Sequence, residues 1–313
     1  MQRRRLVQLL NAVLAVAIAV LVVWTSKPWE VWQFEGRFLA SLLAALVLDA
    51  LLVVVWAYRH ALALEAGGHT VSPMKLTPLV TFSNAANNLT PAATGEVMRA
   101  WFLNKKFGVP VGRAGGVIVF ERVFILGLMA MTAVIAGLLA LDGDLWLILL
   151  ALTGLAFYIF VLPRFLKPLT TRSSREIKGG RVRRTIVDTA RQSVHLWSQP
   201  RLSVGTAIWT AFAFACQGLV FWLAASVSGL SLTAAETWAL LGGATVVGVI
   251  SSLPFGLGAA ELTAIGIGAI LGIEGSSVGS AFVLYRLFLT LPLALAGAYS
   301  YWRLTVAEPA GLD

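Results

Sequence analysis

Residues 251–262 read SSLPFGLGAAEL. One proline and two glycines, at 254, 256 and 258, break any helix here, as in a turn. Turns ordinarily face water. This one carries no charge until Glu261, and apolar runs flank it on both sides. A breaker-rich apolar turn beside a carboxylate fits one setting well: irregular backbone at membrane depth, shielded by protein or lining a wet cavity.

Composition supports a membrane setting for the whole chain. Of 313 residues, 58% are hydrophobic and 12% charged, with a mean hydropathy of +0.82. Soluble domains carry about 25% charged residues. Apolar runs long enough to span fall at about 6–24, 38–57, 114–140, 145–162, 203–228 and 277–302. The first follows MQRRR and precedes TSKPW, which lacks a small-x-small cleavage site, so it is expected to be an uncleaved membrane helix. Two further regions break in the middle. Met74–Leu89 is rich in Asn and Thr, reaches TPAATG and resumes as EVMRAWFL. Residues 235–252 reach LPFGLG and resume as AAELTAIGIGAILG.

The net charge of +9 does not indicate nucleic acid, because the positive residues lie in loops between apolar runs. Those loops include Arg3–Arg5, Arg59, Lys75, Lys105, Lys106, Arg113, a dense cluster over 163–201, and Arg303. The opposite loops hold Glu30, Glu35, Asp142, Asp144, Glu236 and Glu274. Positive-inside bias then predicts six full crossings with both termini cytoplasmic, provided each broken region enters and leaves on one face. The same positive surface would also attract anionic lipid head groups. The expected fold is an all-α polytopic membrane protein of about six full transmembrane helices plus two re-entrant helical hairpins. It would form one domain over 1–313, with a basic cytoplasmic connector at 163–202 that either lies on the membrane as an amphipathic helix or simply links two spans.

The broken regions share a pattern. The first has Pro91, Gly95 and Glu96, and its next span carries Phe120, Glu121 and Arg122. The second has Pro254, Gly256, Gly258 and Glu261, and its next span carries Tyr285 and Arg286. Glu96 to Arg122 is 26 residues, and Glu261 to Arg286 is 25. Entered from opposite faces, the copies read as an inverted repeat, first about 38–140 and then about 203–302, with broken helices marking a midplane site.

An Asp, Arg or Lys at mid-helix costs about 2.5–3.5 kcal/mol even on insertion scales. Glu96, Arg99, Glu121, Arg122, Glu261 and Arg286 are therefore expected to face inward and pair. Two readings follow: ion pairs that only fix the hairpins, or a wet cavity whose arginines fork onto phosphate while carboxylates balance them. Glu96 and Arg99, three apart, can also pair locally. Asp49 is placed near the cytoplasmic edge of the second span and is expected to be snorkelling or paired, with a proton site as the alternative. Asn84, Asn87 and Asn88 are expected to cap helix ends, with a polar path as the alternative. His60, His69 and His195 fall in or beside loops without metal spacing, so no metal and no cofactor are expected. Asp142-Gly-Asp144 reads as an outer turn. Cys216 stands alone, which excludes an intrachain disulfide. Trp24, Trp29, Trp146 and Trp302 sit near span ends, as interfacial belts do. No Walker A loop, HExxH or nucleophile elbow is present, so no enzyme chemistry is expected.

The elements PAATGEVMRAWFL, VIVFERVFILGL, LPFGLGAAEL and VLYRLFLTLPLALAG resemble the flippase-like membrane-domain family, which includes the membrane half of lysylphosphatidylglycerol synthases and stand-alone relatives. The resemblance covers nearly the whole chain, most specifically 84–130 and 251–300. Its motif positions match Pro91, Gly95, Glu96, Arg99, Glu121, Arg122, Pro254, Gly256, Gly258, Glu261, Tyr285 and Arg286. The chain departs at AAT, 92–94, and at Phe255 and Leu257, which interrupt the glycine run. The resemblance implies transbilayer movement of an anionic phospholipid or a polyprenyl-phosphate-linked lipid in a bacterial or archaeal cytoplasmic membrane, with those residues about the substrate. Competing expectations are a scaffold for a lipid or glycan synthase and an intramembrane lipid-modifying enzyme.

Overall fold

The computed structural model describes residues 20, 23–24, 36–90, 94–173, 181–251, 253 and 256–307. Most of the first apolar run, and Pro91 and Pro254 at the two breaks, lie outside these residues. The described chain is helical, without strands. Five helical stretches are long and apolar enough to cross a membrane: 37–66, 111–140, 145–168, 200–227 and 275–306. They correspond to five of the six expected crossings.

The first helix, α1, runs Gly36–Ala66. Two shorter helices follow, α2 (Pro73–Leu89) and α3 (Thr94–Phe107), and then the long α4 (Val111–Ala140). Next come α5 (Leu145–Ala156), a π-helical turn (Phe157–Val161) and α6 (Leu162–Ser173). The basic connector contains α7 (Arg181–Trp197). The second half has the same order: long α8 (Pro200–Val227), short α9 (Ala234–Ile250) and α10 (Ala259–Ile270), then long α11 (Gly275–Trp302). At 1.5 Å per residue α10 reaches about 18 Å, well short of a hydrocarbon core of about 30 Å.

In each half the short helices fold back on one another. Gly95 of α3 lies so close to α2 that a Cβ there would stand 2.0 Å from the Ser83 carbonyl oxygen. Gly256 has φ +59°, and a Cβ would stand 2.7 Å from the Gly248 Cα. Only glycine meets both demands, a left-handed backbone and close approach. Gly258, at φ +81°, precedes α10, and its N–H donates to Glu261 Oε2 at 2.7 Å. The carboxylate occupies a free donor of the new helix, where the dipole also favours negative charge. The opening stretch thus resolves: the glycines permit the reversal and Glu261 terminates it.

Several hydroxyls inside the apolar helices are satisfied locally, although Thr206 of α8 and Ser280 of α11 are buried without a partner among the described residues. Thr81, Thr132, Thr245 and Thr263 each donate to the carbonyl four residues earlier, which keeps polar hydrogens paired where no water competes.

Packing crosses between the halves. α1 lies along α8, α4 packs on α9, and α11 packs on α2. Gly242 of α9 faces Ala133 of α4, and Gly297 of α11 faces Ala85 of α2. Ala133 and Gly297 each lie eleven residues beyond the arginine of their own helix. Small residues let backbones approach where apolar burial supplies no drive. Two large apolar cores result, with a small third between α1 and α8 around Leu52, Val55, Ala213 and Cys216. One joins α2, α3, α4 and α7 around Phe102, Phe120 and Phe124; the other joins α8–α11 around Phe221, Phe282 and Phe288. The connector helix α7 packs on α4, with Gly115 and Gly116 facing Thr189 and Gln192. Leu196 and Trp197 enter the first core.

Two expectations are corrected. α1 does not end near residue 57 but continues to Ala66, so Arg59 and His60 are helical and inside the protein rather than in a loop. Asp49 is correspondingly not near an edge: thirteen residues of α1 precede it and seventeen follow.

Candidate functional site

Each helix that follows a break places a glutamate in its first turn, and each long helix after it supplies an arginine. Arg122 Nε lies 3.3 Å from Glu96 Oε1. Arg286 Nε donates to Glu261 Oε1, whose other oxygen holds the Gly258 N–H. The near-equal spacing in sequence, 26 and 25 residues, thus becomes a glutamate–arginine ion pair in each half.

Glu121 and Arg122 are adjacent in sequence but point about 100° apart around α4. Glu121, 3% exposed, faces away from the cavity described below. His60 Nδ1 meets its Oε2 at 2.7 Å, Arg99 Nη1 lies 3.5 Å from the same oxygen, and Arg59 Nε lies 3.6 Å from Oε1. Arg99 also donates to Ser83 Oγ at 2.7 Å and Asn84 Oδ1 at 3.3 Å. Glu121 therefore links α1, α3 and α4 through one hydrogen bond to His60 and ion pairs with Arg59 and Arg99, and Arg99 carries the link on to α2 at Ser83. Arg99 pairs here with Glu121, and it is Arg122 that takes Glu96.

Between the halves lies a cavity of about 540 Å³. Both breaks contribute to its wall: Asn87, Asn88 and Thr90 at the end of α2, and Leu253, Gly256 and Ala260 around the second turn. The asparagines line this cavity instead of serving as the expected caps. Arg59, Arg122 and Arg286 also line it, with Tyr285, Thr210 and Gln217. No Asp or Glu is among its described lining residues. The three glutamates sit behind the arginines, so the wall presents guanidinium and amide donors. Tyr285 is buried and stands edge-on to Phe221. On the α8 and α11 side the wall mixes apolar Phe214, Phe282 and Leu289 with polar Thr210, Gln217 and Thr290.

Of the expected site residues, the structure brings Arg122, Tyr285, Arg286 and Gly256 to the cavity and puts Glu96 and Glu261 one bond behind it. Gly95 and Gly258 serve the turns, and Arg99 and Glu121 form the neighbouring lock. Arg59, His60, Thr210 and Gln217 were not foreseen. Arg59 and His60 carried a cue: the apolar run Ala61–Leu64 resumes after them, before Gly67 and Gly68 end the helix.

Such a wall suits a phosphate or another oxyanion, because planar guanidinium forks and amides converge on a space that lipid alone does not fill. No group of three or more His, Cys, Asp or Glu able to hold a metal occurs among the described residues. The family model described as lysylphosphatidylglycerol synthase TM region matches residues 11–297. No curated protein sequence matches the chain.

Proposed function

Because the chain belongs to the lysylphosphatidylglycerol synthase TM-region family, we propose that it moves an anionic lipid across the bilayer, with the head group held in the central cavity. The lipid is an anionic phospholipid or a polyprenyl-phosphate-linked lipid. The protein acts as a translocator and not as an enzyme. The two short helical pairs are re-entrant hairpins of an inverted repeat, the first entering from the cytoplasm and the second from outside. Both termini lie on the cytoplasmic face of a bacterial or archaeal inner membrane, as the basic loops favour.

One observation carries this reading: three arginines from α1, α4 and α11 line a cavity that both breaks border, while their carboxylate partners stand behind. Each arginine is paired, yet all three still border the open space, so the wall is cationic where pairs serving only to fix the bundle would leave it apolar. The reciprocal packing of α4 on α9 and α11 on α2 supports the repeat, as do the 26- and 25-residue spacings between glutamate and arginine.

The test is transbilayer movement of a fluorescent anionic lipid in proteoliposomes. Arg122→Ala, whose partner Glu96 is part-exposed, and Arg286→Lys, which keeps a positive charge beside buried Glu261 but loses the fork, each lower the rate tenfold or more, with unfolding temperatures close to wild type. Full transport by the double variant, normally folded, contradicts the proposal. A second reading, a membrane scaffold for a lipid or glycan synthase, draws on α5, none of whose residues is buried. Purification from native membranes decides between them: the scaffold reading requires one stoichiometric synthase and no loss of function on changing the arginines.

A further inference from the structure

A second hollow, of about 180 Å³, opens between α1 and α11. Leu46, Val53, Pro292 and Leu293 line it, and Trp56 and Leu289 line both it and the central cavity. The two spaces are therefore neighbours, separated by those side chains. The hollow is nearly all hydrocarbon, between two helices long enough to span a bilayer. Pro292 falls within α11 at this level and removes a backbone bond there.

One group is out of keeping. Asp49 lines the hollow, is 8% exposed, and neither carboxyl oxygen has a hydrogen-bond partner. A buried polar group without a partner is costly, and more so at the middle of a span. Nothing among the described residues relieves it, and an acyl chain alone would not. The junction between a lipid's head group and its chain would, because a protonated Asp49 carboxyl can donate its O–H to an ester carbonyl brought to the boundary of polar and apolar space.

We propose that the α1–α11 groove is the hydrocarbon port of the cavity, holding the first length of the lipid's chain, with Asp49 bonded to the polar junction. This rests on the translocator reading and adds where the chain lies. A head group in the cavity must keep its chain in the membrane, so the cavity needs a lateral opening onto lipid. The groove is apolar, adjoins the cavity at Trp56 and Leu289, and at about 180 Å³ has room for a few methylenes.

The experiment uses phosphatidylcholine proteoliposomes containing phosphatidylglycerol with a diazirine in its acyl chain. After irradiation, adducts are mapped by mass spectrometry. Adducts are expected on α1 within 46–53 and on α11 within 289–296. Excess unlabelled phosphatidylglycerol should suppress them at least fivefold more than equal phosphatidylcholine does. Adducts on the outer face of α5, at Leu149 and Leu150, should fall equally with both lipids. Asp49→Leu should reduce groove labelling severalfold and Asp49→Asn should reduce it less. Ala296→Trp, at the exposed edge of the groove, should cut transport tenfold while water-soluble glycerophosphoglycerol still binds the cavity. Groove labelling that behaves like the α5 face overturns the port, as does full transport by a normally folded Ala296→Trp protein. Failure of the translocator reading looks different: the arginine variants then bind glycerophosphoglycerol and transport lipid as wild type does.

Discussion

Glu121 is the most committed single residue in the molecule. One carboxylate, deep in the protein, answers His60, Arg99 and Arg59 at 2.7, 3.5 and 3.6 Å. Removing it leaves two buried guanidiniums without their counter-charge. Loss of one partner from a buried ion pair costs about 3–5 kcal/mol. Glu121→Ala is therefore expected to be strongly destabilised in detergent unfolding, whereas Glu96→Ala, whose partner Arg122 is half-open to the cavity, loses much less. Equal stability of the two variants would show that the Glu121 cluster does not hold the bundle. At this scale the sequence was legible where charge sat alone inside an apolar run, as with Glu261 and Arg286. It was misleading at Arg59 and His60, since two polar residues near the end of a hydropathic window look like a loop until a buried partner is known.

The short helical pairs depend on shape more than on charge. Gly95→Ala places a methyl 2.0 Å from the Ser83 carbonyl, so α2 and α3 must separate. Overpacking of this kind costs about 1–3 kcal/mol. Gly266 of α10 has open space around it, and Gly266→Ala is expected to be neutral or up to about 1 kcal/mol stabilising from helix propensity. Thermal unfolding of the two variants in the same detergent checks the contrast; similar shifts would remove close approach as the reason for Gly95. The breaks themselves were readable from proline and glycine in apolar surroundings. The asparagines were harder, because Asn caps helices and lines polar space with the same chemistry, and only the position of the opposing half separates the two.

For the whole molecule, the central expectation is that the breaks stop inside the bilayer. In a Cys216→Ser background, a bulky polymer-linked maleimide should reach Lys106→Cys from the cytoplasmic side and Ser231→Cys from the opposite side. It should reach Thr90→Cys from neither. Rapid labelling of Thr90→Cys from the side that labels Ser231→Cys would make α2 a full crossing. Five of the crossings were legible as apolar length alone. The exchange of partners, α4 with α9 and α11 with α2, was not, because contact between distant segments leaves only a faint trace in one sequence: here, two matched glutamate-to-arginine spacings. The cavity follows from that exchange, since it brings both breaks and the three arginines to one place.

A structure determined in nanodiscs of anionic phospholipid tests the account most directly. The account predicts phosphate density within hydrogen-bonding distance of Arg122 and Arg286, with its hydrocarbon leaving between α1 and α11. An empty or collapsed cavity, with every ordered lipid confined to the outer surface of the bundle, would contradict it.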